Sequence, residues 1–279
     1  REWMPISDEP YKAYDVGDLA TLFRIDTRLE GREEQFSFQS MMAGGGNPEE
    51  IVATLKNFAS GDYLDPDRQM LGAAQEQWLS AGLAASTESG KTWQVLVQQV
   101  LIGKNKAPKS LFAAIPDGLP DYLERRLRAS SMARQAELPT NMDAWDGYPA
   151  ARDRLFEASL EADANLVVLA GDTHNAWNFD LAHGAEKVGV EFGVSSVSSP
   201  GFESYLAMVP PQLLAGAIVA ENSELVWADT AQRGYMTVEL TPTTATSEWR
   251  FVAGIKERST KLAGTHRASV EAGAKVQGA

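Results

Sequence analysis

Two periods alternate along this chain. "LATLFRIDTR" (19–28) is an apolar, β-leaning run that closes on Asp26 and Arg28. "TWQVLVQQVLI" (92–102) sets Trp93, Val95 and Val97 two apart before an apolar continuation interrupted by Gln98 and Gln99. "NLVVLA" (165–170) is unbroken, and "KVGVEFGVSS" (187–196) carries Glu191 inside an apolar stretch. These four read as buried strands.

Helical period fills the intervals. "EEIVATLKNFAS" follows Asn47-Pro48 with acids in its first turn, and "QMLGAAQEQWLSAGLAAS" (69–86) spaces Leu71, Gln75, Trp78, Leu79 and Leu83 near helical repeat. A polar segment over roughly 104–147 is partly helical around Tyr122–Ala133; Pro149 then opens a helix with Leu155 and Leu160 on one side, and "PPQLLAGAIVAEN" (210–222) forms another. "RGYMTVELTPTTATSEWRFVA" gives two alternating runs around a Thr-Pro-Thr-Thr turn, a hairpin. From about Lys256 onward small and polar residues follow no period. No internal repeat or linker is visible, and the order of elements predicts an α/β sandwich over an all-parallel sheet.

Composition narrows the classes of function. The 279 residues, 44% hydrophobic, suit one large globular α/β domain. A formal charge of −13 repels a nucleic-acid duplex or an anionic membrane, although a bound metal ion reverses the field locally and admits a small phosphorylated substrate. With no cysteine there is no disulfide, thiolate ligand or cysteine nucleophile, which suits an oxidising compartment. No apolar run reaches the 18 residues of a membrane span. The chain opens on Arg1 without a signal peptide, which reads as a start left by cleavage or by excision from something longer.

The candidate chemistry lies in "VVLAGDTHNAW" (167–177). Gly171 lets the backbone turn where the chain leaves the sheet. Asp172 and His174 are two apart, so extended geometry points them the same way. A carboxylate with an imidazole is an ordinary metal donor set, and sites in open α/β sheets gather at the carboxyl ends of strands. The plainer alternative is an Asp capping a turn beside a packed His. The other two histidines, His183 and His266, sit in polar surroundings. Gln98, Gln99 and Glu191 each cost free energy unless paired, and several such groups in one chain favour a shared site. "DAWDGY" (143–148) either walls a pocket with Trp145 or caps a helix with Trp145 in the core. "GVSSVSSPGF" (193–202) raises a serine nucleophile, but it lacks the Gly-x-Ser-x-Gly elbow, and Asp172 is too near His174 in sequence to orient its far nitrogen. Its hydroxyls read instead as caps on loose backbone groups.

Several blocks together carry a resemblance. "REWMPI", "IDTRLEGR", "LGAAQEQWLSAGLAAS…TWQVLVQQV", "DAWDGYPAARDRL", "NLVVLAGDTHNAW" and "EFGVSSVSSPGF" resemble, in order and from residue 1 to about 253, the PhoD-type alkaline phosphatases and phosphodiesterases of the calcineurin-like metallophosphoesterases. The resemblance implies metal-dependent hydrolysis of phosphate mono- or diesters on an αββα four-layer sandwich, of which this chain looks like the second half, ending in an antiparallel hairpin. Residues 1–255 then form the C-terminal half of the catalytic domain and 256–279 a tail. Asp172 and His174 are implied as metal ligands and catalytic residues. Gln98 and Gln99 stand where the superfamily has a histidine, and amide oxygens suit Fe3+ and Ca2+ better than two zinc ions. Arg28, Gln99 and Trp145 are candidate substrate contacts, and Asp26, Arg28 and Gln99 are also candidates to support the ligands from behind.

The same resemblance implies that early Asp-containing metal motifs lie in an N-terminal half, so this chain is expected to need that half as a separate chain and to be inactive or nearly so alone. A periplasmic or secreted location follows from the family. The rival expectations are a non-catalytic interaction fragment and, less favoured, a serine hydrolase.

Overall fold

The four apolar runs become neighbouring parallel strands. The computed structural model describes residues 9–113, 121–139 and 141–277. Its strands are β1 (Lys12–Val16), β2 (Ala20–Arg24), β3 (Trp93–Val97), β4 (Leu166–Ala170), β5 (Ala176–His183), β6 (Glu186–Gly193), β7 (Leu225–Asp229), β8 (Gly234–Leu240), β9 (Thr244–Val252) and β10 (Leu262–Glu271). Its helices are α1 (Phe38–Met42), α2 (Pro48–Ala59), α3 (Ala73–Glu88), α4 (Lys109–Ala113), α5 (Asp121–Gln135), α6 (Pro149–Glu161), α7 (Phe202–Tyr205) and α8 (Pro211–Glu221). The "REWMPI" block lies outside the described residues.

A seven-stranded sheet has the order β1-β2-β3-β4-β6-β5-β7. β2, β3, β4 and β6 are parallel, and Val95 lies opposite Val167, itself opposite Val190. β1, β5 and β7 join antiparallel. Along β4 the side chains alternate between two cores. Leu166 and Val168 join Phe23 and Leu96 in a core with Leu79 and Leu83 of α3, Leu155 and Phe156 of α6, and Leu214 and Ile218 of α8. Val167 joins Trp93, Val95, Val190 and Phe192 against Trp249, Phe251, Ala268 and Val270 of a three-stranded antiparallel sheet ordered β10-β9-β8. A strand buried on both faces must be apolar at every position, which is why "NLVVLA" shows no alternation. Two tryptophans pin the small sheet: Trp93 Nε1 donates to Thr241 O at 2.7 Å and Trp249 Nε1 to Gly193 O at 2.8 Å. Each such side chain, fully removed from water, stabilises the fold by about 1.5–3 kcal/mol.

Two elements differ from the sequence expectation. The hairpin β8–β9 exists but is part of a larger sheet, because Leu262–Glu271, where no period is legible, pairs with β9 as β10. Its inward positions Ala268 and Val270 are buried while their neighbours face water, so only two apolar residues mark it. The described layers number three: helices, large sheet, small sheet. The outer face of the small sheet presents Thr237, Glu248, Arg250, Arg267 and Ser269, polar groups that stay in water, and no described helix covers it.

Parallel strands deliver their carboxyl ends to one edge. The two longest excursions leave from there, residues 25–72 after β2 and 98–148 after β3, and both contribute to a small helical lobe centred on Leu55, Ala133, Leu138 and Met142.

Candidate active site

At that edge the chain ends of β2, β3 and β4 are sewn together by backbone groups. Gly171 N and Asp172 N both donate to Gln99 O, at 3.1 and 3.0 Å. Thr27 donates from its amide (3.2 Å) and its hydroxyl (2.6 Å) to Gln99 Oε1. The loop after β2 is held by buried Gln75 of α3, which accepts from Asp26 N at 2.8 Å and donates to Asp26 O at 2.9 Å. Gly31 and Gly72 pack against each other at φ of 68° and 74°; a Cβ on Gly31 would lie 2.4 Å from Gly72 Cα. Both positions therefore require glycine.

Arg28 is the centre of the charge arrangement. Its Nη1 contacts both oxygens of Asp143, at 2.7 and 2.8 Å, while Nη2 is paired with Asp172 Oδ2. Arg32 adds a second cation on Asp143 Oδ1 at 2.7 Å and also donates to Thr27 O at 2.7 Å. Partial burial pushes the Asp143 carboxyl up, but Arg28 and Arg32 outweigh it and hold the group below its ordinary value. Burial likewise lowers the Arg28 guanidinium, and the two carboxylates reverse that, raising it.

Asp172 and His174 do not share a strand face. The backbone leaves extended geometry after Gly171, and His174 sits at φ 59°, a left-handed conformation uncommon for a non-glycine residue. The turn is fixed from behind: Trp177 Nε1 donates to Thr173 Oγ1 at 2.7 Å, and Asn175 Nδ2 donates to Thr173 O at 2.7 Å. His174 Nδ1 lies 3.0 Å from Pro200 O. A carbonyl only accepts, so Nδ1 carries the proton and the lone pair is on Nε2, the orientation a metal-ligating or proton-accepting imidazole needs.

The other expected residues separate. Gln99 is at the site, but through its main chain, and its side-chain oxygen is engaged by Thr27. Asp26 caps the loop that carries Arg28, accepting from Arg28 N and Glu30 N at 2.9 Å. Trp145 has no exposed surface and donates its indole N–H to Gln98 Oε1 at 2.7 Å; the hollow it lines, with Leu79, Arg154 and Leu155, lies between α3 and α6 and includes neither Arg28 nor Asp172. Both amide oxygens at Gln98 and Gln99 are thus engaged within the fold, Gln98 Oε1 by one donor and Gln99 Oε1 by two. The serine arrangement also fails on contact: Ser196 Oγ caps Ser198 N and Ser199 N, and the His174 nitrogen a triad aspartate requires is on Pro200.

Asp143 and Arg32 were not singled out in the sequence, although both stand inside quoted blocks, "DAWDGY" and "IDTRLEGR". Charge balance is the signal that finds them: an arginine at a strand end needs a carboxylate from elsewhere, and "MDAW" offers one at a turn.

The donor set for a metal is incomplete. Asp172 and His174 would supply two donors at most, and no group of three or more His, Asp or Glu side chains among the described residues converges to hold an ion. Iron and calcium sites use four to eight ligands. The residues present do not by themselves fit such a centre.

Residues 1–249 match the PhoD-like phosphatase family. The chain belongs to that family. Alkaline phosphatase D of Bacillus subtilis (strain 168) is 28% identical over 253 residues, covering 88% of this chain and 35% of that protein. The chain thus spans about a third of the length of this curated relative. A solved structure of PhoD superposes with a TM-score of 0.63 at 24% identity, over 94% of this chain and 42% of that one, and so shares the fold. The mixed sheet with its small antiparallel partner is thus similar to the fold of that structure.

Proposed function

We propose that this PhoD-like chain contributes one edge of a phosphoesterase active site that hydrolyses phosphate mono- or diesters. The observation that carries the reading is the pairing of a partly exposed cation, Arg28, with Asp172 at the carboxyl edge of the sheet, beside an imidazole whose free nitrogen is fixed by Pro200. A planar guanidinium suits bidentate contact with the non-bridging oxygens of a phosphate, and such contact supplies attraction that an acidic surface otherwise withholds. Arg32 and Asp143 hold Arg28 in place from below. His174 presents Nε2 toward a ligand or a transferred proton, and Gln99 fixes the Asp172 backbone.

The Fe3+ and Ca2+ implied by the resemblance require donors beyond Asp172 and His174, and we assign those to polypeptide outside this chain, with the N-terminal half of the same protein as the partner and the fourth layer of the sandwich. A periplasmic or secreted location belongs to the same reading; among the described residues no helix is long and apolar enough to cross a membrane. The two-donor set also favours a second reading, a non-catalytic interaction fragment.

The test is hydrolysis of 4-nitrophenyl phosphate and its bis-ester by the complete polypeptide that contains this chain, with and without chelator, alongside the 279-residue chain alone. Chelator-sensitive turnover confined to the complete polypeptide supports the proposal. No turnover in either leaves the interaction reading.

A further inference from the structure

Beside the candidate site lies a cavity of about 340 Å³ bounded by α4, α5, α7 and α8. Leu111, Phe112, Leu127, Phe202 and Ile218 face it, and none of the described residues that line it is charged. Tyr122, Tyr205 and Met208 at its rim leave 69%, 55% and 40% of their surface in water. In a chain of net charge −13 the described walls make a largely apolar concavity of the size that takes a small ligand.

Its position relates it to the site. Phe202, one of its walls, is two residues beyond Pro200, whose carbonyl holds His174, and two residues span at most about 7 Å. Phe202 N donates to Asn175 Oδ1 at 3.1 Å, and the ring meets Trp177 edge-on at 6.1 Å. The next residue ties α7 down from the other side, since Glu203 N donates to Thr230 O at 3.2 Å and its carboxylate pairs with Arg233. The wall is therefore built on the same turn, Thr173–Asn175, that presents the imidazole.

Resting on the phosphoesterase reading, we propose that this cavity receives the alcohol portion of the ester, and that the substrate class is phosphate esters of bulky apolar alcohols. A phosphoryl group does not enter an apolar cavity without a cation, so it stays with Arg28, and the ester's uncharged substituent extends along Phe202 into the apolar space. A substituent of two fused aromatic rings is within the volume, whereas a methyl group leaves the walls wet.

Equilibrium dialysis of the 279-residue chain with 2-naphthol, with and without inorganic phosphate, tests the cavity directly. Ala207→Trp fills the mouth and Met208→Asp places a charge on the wall; both lie on the rim, away from Arg28, Asp172 and His174, and thermal melts check that each folds. The expected result is saturable binding of 2-naphthol, weakened about tenfold by either variant and not displaced by phosphate. Absence of saturable binding, or binding that neither folded variant changes, overturns the proposal.

In the complete polypeptide, Ala207→Trp is expected to lower the ratio of 2-naphthyl phosphate to methyl phosphate turnover about tenfold while leaving methyl phosphate turnover unchanged. An unchanged ratio in an active enzyme overturns the proposal and leaves the phosphoesterase reading standing. Naphthol binding with no ester hydrolysed overturns the ester assignment together with that reading.

Discussion

Arg28 grips Asp143 and Asp172 with the two arms of one guanidinium, so the loop after β2, the turn before α6 and the exit of β4 meet at a single cation. The arrangement orients a group for ligand contact more than it stabilises the fold. Arg28 and Asp143 are each about one-third exposed, and pairs at that exposure contribute about 1 kcal/mol or less. Arg28→Ala is accordingly expected to change urea-denaturation stability by no more than about 1 kcal/mol while raising KM for a phosphate ester about tenfold or more in the complete polypeptide. Arg28→Lys keeps the charge but loses the fork, and is expected to recover only part of the affinity. Equal KM values for wild type and Arg28→Ala would remove Arg28 from the substrate site.

Trp145 provides the opposite case, a residue whose loss is expected to act on stability. Its indole N–H is bonded to Gln98 Oε1, and Gln98 Nε2 is buried with no hydrogen-bond partner. Trp145→Phe leaves the whole Gln98 amide buried without a partner. The expected cost is about 1–3 kcal/mol for the orphaned oxygen, added to the volume lost from the core. KM for the ester is expected to stay unchanged, which steady-state kinetics beside a denaturation curve can separate.

The parts of the fold that follow a period were legible in the sequence. β3, β4 and β6 lie in runs whose apolar residues face two cores, α3 and α6 carry their stripes as expected, and α8 forms as the expected helix. What escaped is set by distant partners. β10 is an edge strand with only Ala268 and Val270 buried, and β5 begins directly after the turn at His174, so its start is masked by the motif. At the candidate site, the geometry of Asp172 and His174 was not readable, because the positive φ of His174 goes with bonds to Thr173 O and Pro200 O made by the folded turn. Gln98 and Gln99 looked like ligands for the reason that makes them structural: buried amides require partners, and nearby Trp145 and Thr27 supply them.

His174→Asn isolates the free imidazole nitrogen. An asparagine amide can keep a donor toward Pro200 O while removing the Nε2 position, so the turn is expected to persist. Hydrolysis by the complete polypeptide is expected to fall at least about a hundredfold, the scale on which a positioned proton acceptor or ligand acts. The 279-residue chain alone, dialysed with iron and calcium salts, is expected to retain less than one equivalent of either, since Asp172 is paired with Arg28 and no group of three or more acidic or histidine side chains converges among the described residues. Elemental analysis decides this, and stoichiometric metal in the chain alone would show a donor set outside the described residues.

Glu191 makes stability depend on pH. Its side chain is fully buried within β6, where its oxygens accept from Ile102 N and Gly103 N, each at 2.8 Å, and so fasten the segment that follows Gln98 and Gln99. Burial raises its pKa from 4.5 to about 8, with the two backbone donors and Arg152 pulling back toward the ionised form. The unfolded chain therefore releases this proton near the ordinary carboxyl value while the folded chain keeps it to about pH 8. Folding takes up a proton between those limits, so this contribution is fully present at low pH and declines as pH rises, by up to about 1.4 kcal/mol per pH unit. Asp146, raised by burial from 3.8 to about 6, acts with the same sign but is spent by about pH 6. Between pH 6 and 8 the fall in stability therefore reports on Glu191, against an opposing rise from His266, whose imidazole pKa burial lowers from 6.5. Glu191→Gln removes the titration and turns one acceptor into a donor facing a backbone N–H, so the variant is expected to be less stable at pH 6 by about 1–3 kcal/mol. From pH 6 to 8 its urea midpoint is expected to stay flat or rise slightly with His266 while the wild-type midpoint falls. Parallel slopes for the two proteins would place the titrating group elsewhere.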